Sequence, residues 1–157
     1  CVLGCPYEGE IAPEAVASVA RALYGMGCYE ISLGDTIGVG TPEKTRAMLQ
    51  EVKKVVPVST LAVHFHDTYG RAIDNIRAAL DEGIAVVDSA AGGLGGCPYA
   101  KGASGNVATE KVLALMTELG FETGVDAAKV AAAAGFIKGV LQQHEKNSSL
   151  SSGLPKP

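Results

Sequence analysis

The spacing of apolar positions changes several times along this chain. Val16, Val19, Ala20 and Leu23 recur at helical spacing behind Pro13, whose ring suits a first helical position, and Gly25 and Gly27 end the run. Tyr29 to Gly34 reads as a short strand that delivers Asp35 at its C-terminal end. Thr41-Pro42-Glu43 then marks a helix start, with a capping hydroxyl, a proline and an acidic first turn. The helix behind it places Met48, Leu49, Val52, Val55 and Val56 inward and is closed by Pro57. Thr60 to His64 is the next strand. A helix from about Arg71 follows, with Ile73, Ile76 and Leu80 on one side and Gly83 as its stop. Ile84 to Val87 is another strand, delivering Asp88. A glycine-rich loop occupies Gly92 to Gly105, and helices are predicted over Thr109 to Leu119 and from about Asp126 to Gln143. Val2 and Leu3 look like the end of one more strand, broken by Cys5-Pro6-Tyr7, and the serines, glycine and prolines from Asn147 onward predict a disordered tail over 147–157.

Strands alternating with helices imply parallel pairing through right-handed crossovers. About four strands are visible, where a closed barrel needs eight in roughly 250 residues. The expected architecture over 1–146 is therefore α/β: about four parallel strands with their helices, the second half of a TIM (β/α)8 barrel, plus a C-terminal helix. The competing architecture is a small open parallel sheet, but no G-x-G-x-x-G follows the first strand.

Composition narrows the function without naming it. The chain has 157 residues, is 47% hydrophobic and 19% charged, and carries a formal net charge of -4. That is enough apolar matter for a real core, and no basic stripe suggests nucleic acid as a partner. No apolar run approaches the length of a membrane span. Cys1, Cys5, Cys28 and Cys97 form no disulfide framework, so reduced thiols in a cytosol or an organelle matrix are the simplest reading. The chain starts in mid-pattern at Cys1, without methionine and without a targeting segment, which suggests that something precedes it.

The chemistry gathers at strand ends. Asp35, His64, His66 and Asp88 all fall where parallel α/β folds place their active sites. His64 and His66, two positions apart at the end of the run Leu61-Ala62-Val63, project to one side while Phe65 projects to the other. Such a pair is half of a divalent-metal site, or else two hydrogen-bonded histidines of a cleft. Imidazoles with oxygen co-ligands suit manganese, iron or zinc. The glycines of 92–105 let backbone approach a ligand closely or let the loop move, and read alone they fit a phosphate cradle or a flexible connector. Cys97 among them is a thiol that can shuttle a proton. Taken singly, Asp35 and Asp88 are cap or turn carboxylates, Asn106 is a turn or N-cap residue, and Lys101 and His144 are solvated.

Four stretches together resemble the hydroxymethylglutaryl-CoA lyase family of the metal-dependent TIM-barrel lyases and synthases. They are Cys1-Val2-Leu3-Gly4-Cys5-Pro6-Tyr7-Glu8-Gly9, Ser32-Leu33-Gly34-Asp35-Thr36-Ile37-Gly38, His64-Phe65-His66-Asp67-Thr68-Tyr69-Gly70, and the loop from Gly92 to Asn106. Related synthases of the isopropylmalate and homocitrate type share the histidine pair and the Gly-Asn, but carry Glu-Arg where this loop has Cys97-Pro98-Tyr99. The resemblance implies a carbon–carbon lyase that cleaves 3-hydroxy-3-methylglutaryl-CoA to acetyl-CoA and acetoacetate by a retro-Claisen step assisted by magnesium or manganese. It implies His64, His66 and Asn106 as metal ligands, Cys97 in proton transfer on a mobile loop, Asp35 in acid–base support, and His64 as a further proton relay. It implies an acyl-CoA as the small-molecule partner, a homodimer in the full-length protein, and residence in a bacterial cytoplasm or a mitochondrial matrix. The family's N-terminal half, with its Arg-Asp pair and a later glutamate, is missing here, so the 157 residues alone are expected to bind metal weakly and to turn over little. A sibling synthase or aldolase, and a non-catalytic half-barrel, are the alternatives.

Overall fold

The computed structural model describes residues 3–96 and 105–151, with side chains up to 144. Three strands, β1 (Ile31–Asp35), β2 (Leu61–Phe65) and β3 (Val86–Asp88), form a parallel sheet in the order β1-β2-β3. Five α-helices accompany them: α1 (Pro13–Gly25), α2 (Pro42–Val52), α3 (Ala72–Asp81), α4 (Thr109–Glu118) and α5 (Ala127–Ser151). Short 3-10 turns precede β2 at Val58–Thr60 and follow β3 at Ala91–Gly93. The chain thus runs strand, helix, strand, helix, strand, which is the parallel α/β pattern read from its periodicity. No helix among the described residues is long and apolar enough to cross a membrane.

Local chemistry explains the boundaries. Pro13 opens α1 and Pro42 opens α2, where a missing N–H costs nothing. Thr41 caps α2 by accepting from the Lys44 amide at 3.3 Å. Gly27 and Gly83, at φ +90° and +92°, turn the chain out of α1 and α3 with a backbone geometry that β-carbons resist.

Strand parity sorts the two sheet faces. Ile31, Leu33, Leu61, Val63 and Phe65 join Met48, Leu49, Val52 and Ile76 of the helices in one core. The alternate residues Ser32, Gly34, His64 and Asp88 are exposed or half-buried, and Gly34, His64 and Asp88 share one register row across the sheet.

Three expectations change. Helix α2 ends at Val52, before Val55 and Val56; Pro57 disfavours helical backbone at the residue before it, and the chain tightens into a turn with Val56 N–H on Val52 C=O at 3.0 Å. No strand forms at Leu3, which lies in a bend, and Val2 falls outside the described residues, so three strands rather than four are described. The last helix runs on to Ser151, past the expected onset of a tail at Asn147; the alanine-rich start of α5 favours helix strongly, and residues 152–157 lie outside the description.

Candidate metal centre

Parallel strands deliver their C-terminal residues to one edge of the sheet, and three of the candidate residues meet there. His64 is the fourth residue of β2 and His66 lies just past its end. Their side chains turn to the same side, with Nε2 of one 3.1 Å from Nε2 of the other and the ring planes 62° apart. Asn106 is brought to His66 by an isolated antiparallel bridge, and the Asp67 amide donates to Gly105 C=O at 2.8 Å beside it. Asn106 Nδ2 donates to Leu94 C=O at 2.9 Å, which fixes the amide and leaves Oδ1 as the atom that could ligate a cation.

Two glycines make this approach possible. A β-carbon on Gly95 would lie 2.6 Å from Asn106 Nδ2, and one on Gly105 would lie 2.4 Å from Gly95 C=O. Both also hold positive φ, +108° and +59°. The glycine density of the loop is therefore spent, at these two positions, on bringing its two ends together under Asn106.

The donor set suits a divalent cation. Two nitrogens, each about 2.1 Å from an ion on adjacent octahedral vertices, are separated by about 3.0 Å. Burial, above all, holds the His66 imidazole below its ordinary pKa; the charge of His64 adds to this and Asp35 opposes it, so the neutral, ligating form is favoured. His66 Nδ1 is buried and has no hydrogen-bond partner among the described residues. Among the described residues no group of three or more His, Cys, Asp or Glu side chains could hold a metal; what this edge offers a cation is two imidazoles and one amide oxygen.

Asp35 is placed differently from the others. It sits at the end of β1, but on the helix-facing side with Ile31 and Leu33, and it is fully buried. Its carboxylate accepts Gly40 N–H at 2.7 Å and Val39 N–H at 3.2 Å, closing the loop over 36–40. Its C=O accepts His66 N–H at 3.0 Å. Asp35 thus holds the backbone around the histidines, from the helix-facing side of β1. Cys97 and Lys101 lie outside the described residues.

Asp88, a turn carboxylate when taken singly, and Ser32, to which the sequence assigns no role, also lie at this edge. Asp88 Oδ2 lies 4.0 Å from His64 Nδ1 and accepts the Ser32 hydroxyl at 2.8 Å. Ser32 and Asp88 reach each other across β2 above Ala62, which is small and fully buried. Strand parity is the signal that groups Ser32, His64 and Asp88 on one face.

Comparison with known proteins identifies the family and the fold. The HMGL-like family model matches residues 1–137. The mouse protein named 3-hydroxy-3-methylglutaryl-CoA lyase, cytoplasmic, is 63% identical over 137 residues, covering 87% of this chain and 40% of the relative. The crystal structure of the HMG-CoA lyase from Brucella melitensis superposes with a TM-score of 0.88 at 51% identity, over 90% of this chain and 50% of that one. An HMG-CoA lyase from Acinetobacter baumannii, solved in complex with coenzyme A and 3-methylmalate, superposes with a TM-score of 0.83 at 34% identity, over 90% of this chain and 46% of that one. The chain spans about 40% of the length of the curated relatives named here. Its sheet and helices form part of the α/β barrel of these lyases. By the match over most of its length, this chain belongs to the HMGL-like family.

Proposed function

We propose that this chain carries the metal-binding part of a lyase active site that cleaves 3-hydroxy-3-methylglutaryl-CoA to acetyl-CoA and acetoacetate. The observation that carries the reading is the pair of Nε2 atoms 3.1 Å apart at the sheet edge, with Asn106 bridged to His66. The loop residues Cys97-Pro98-Tyr99 favour the lyase over the synthases that share the histidine pair. The relative solved with coenzyme A supports an acyl-CoA as the ligand.

His64 Nε2, His66 Nε2 and Asn106 Oδ1 would hold magnesium or manganese, which would supply Lewis acidity toward the substrate's 3-hydroxyl group. The residues of the chain do the rest. His66, kept neutral by burial, presents a lone pair, not a positive charge. Asp35 holds the loop over 36–40 and the His66 amide, fixing where the histidines stand. When the bond between C2 and C3 breaks, C3 becomes the ketone carbon of acetoacetate and C2 retains the electron pair as the acetyl-CoA enolate. The Cys97 thiol gives its proton to C2 and is left as a thiolate, while the 3-hydroxyl proton leaves to a base. General acid assistance of this kind contributes about 100- to 10,000-fold. With Nε2 on the metal, the only proton His64 could pass on is the one on Nδ1, the ring nitrogen turned away from His66 and toward Asp88.

The test is a Mn2+ titration of the chain, followed by electron paramagnetic resonance. One saturable Mn2+ is expected, abolished by His66→Ala and kept by Cys97→Ala. Binding should tighten with 3-hydroxy-3-methylglutaryl-CoA and stay unchanged with a mixture of acetyl-CoA and a 2-oxo acid. Absence of saturable binding overturns the metal reading; tightening only with the mixture moves the chain to the synthases.

A further inference from the structure

His64 and His66 cannot both carry a proton on Nε2, because two N–H groups would then collide head-on across 3.1 Å. Two bare lone pairs facing each other across the same 3.1 Å without a cation would repel, so one Nε2 donates and the other accepts, and the metal-free neutral pair has two arrangements. In the first, His66 Nε2–H donates to the His64 Nε2 lone pair. His64 then bears its proton on Nδ1, toward Asp88, and His66 Nδ1 is a bare acceptor. In the second, His64 Nε2–H donates to His66. His64 Nδ1 then turns a lone pair toward the Asp88 carboxylate 4.0 Å away, and His66 Nδ1–H becomes a donor at a buried atom with no partner among the described residues.

The second arrangement carries two penalties that the first avoids. A lone pair facing a carboxylate is repelled where an N–H is attracted, and a buried donor without an acceptor is among the rarest features of folded proteins. Asp88 is itself held in place, because its Oδ2 accepts the Ser32 hydroxyl at 2.8 Å. It also lies on the Nδ1 edge of the ring, away from Nε2, so it orients His64 and does not share a cation with it.

We infer that Asp88, anchored by Ser32, is a positioning residue that fixes His64 as the Nδ1–H tautomer and so keeps its Nε2 lone pair directed at the shared site. His66 then carries the mobile proton: on Nε2 in the empty pair, moving to Nδ1 when Nε2 becomes a ligand. The inference deepens the metal-site reading, but its first consequence is the protonation pattern of the metal-free chain.

The experiment is a long-range 1H–15N correlation on the 15N-labelled chain without metal, at a pH where both imidazoles are neutral. Wild type should show His64 protonated on Nδ1 and His66 on Nε2. Asp88→Ala should shift His64 toward Nε2–H, and Ser32→Ala, which removes one exposed hydroxyl, should shift it part of the way. His64 found on Nε2 in wild type, or a tautomer unmoved in Asp88→Ala, overturns the inference; if Asp88→Ala does not fold, an unmoved tautomer in Ser32→Ala overturns it. A parallel Mn2+ titration should show Asp88→Ala binding about 10- to 100-fold more weakly. If wild type binds no Mn2+ at all, the metal reading falls while the tautomer measurement still decides the role of Asp88. A merely structural Asp88 would lower the melting temperature and leave both readouts in place.

Discussion

Asp35→Asn separates two roles that an active-site carboxylate can have. The side chains are nearly the same shape, so packing at this fully buried position is preserved. What changes is the hydrogen-bond inventory. The carboxylate accepts twice, from Gly40 N–H at 2.7 Å and from Val39 N–H at 3.2 Å, one on each oxygen. An asparagine offers one acceptor and one donor, so whichever way the amide turns, one backbone N–H meets an NH2 group. A hydrogen bond to a charged group contributes about 1.5–3 kcal/mol, and an N–H left unsatisfied in a buried site costs about 1–3 kcal/mol. The expected loss is about 3 kcal/mol. In a chain of this size, that lowers the melting temperature by roughly 6–12 °C. Urea unfolding followed by circular dichroism measures the loss, and hydrogen exchange at Gly40 should accelerate more than exchange at the centre of β2. If Asp35→Asn melts with wild type and Gly40 remains protected, the loop-holding role is refuted and the proton-transfer role regains its standing.

Gly105→Ala should cost about 1–3 kcal/mol and weaken Mn2+ binding, because its β-carbon would lie 2.4 Å from Gly95 C=O at a φ of +59°; unchanged affinity would show that Asn106 does not depend on this approach. Leu49→Ala, at a fully buried position on α2, should cost about 2–5 kcal/mol in chemical denaturation. The Glu82 carboxyl is held below its ordinary pKa chiefly by its hydrogen bond to Lys53, with burial opposing and Gln50 assisting. A lowered carboxyl pKa stabilises the fold above the unfolded value of 4.5 and loses that contribution as pH falls through the folded value. Stability of Lys53→Met should therefore fall less steeply below pH 4.5 than that of wild type; identical acid limbs in urea titrations at several pH values would remove the pair from the account.

Much of this arrangement could be read from sequence because it follows from short periods. The alternation His64-Phe65-His66 at a strand end predicts two imidazoles on one side, and the Nε2 separation of 3.1 Å is that prediction in space. Proline and glycine marked the ends of α1 and the start of α2. The part that stayed hidden depends on pairing between segments far apart in the chain. Asn106 taken singly is a turn residue; the resemblance implies it as a ligand, and its bridge to His66, 40 residues earlier in the chain, is what brings it to the pair. Asp88 alone is a strand-end carboxylate, and only the register row that sets it beside His64 gives it a task.

Asp35 differs from these in the face it occupies. It shares parity with Ile31 and Leu33, the two residues of β1 that face the helices. A residue in step with the core side of a strand cannot also line the opposite face, however acidic it is. Ser32 and His64 keep the other parity, with Asp88 in the same register row as His64, and these three form the contacts on the site side. Position at the end of a strand therefore selects candidates, and parity decides which of them can touch a ligand and which can only hold the scaffold beneath it. By that criterion Asp88 is the acidic residue of this edge whose side chain faces the His64 ring, while Asp35 reaches the pair from the opposite face, through its backbone C=O and its charge.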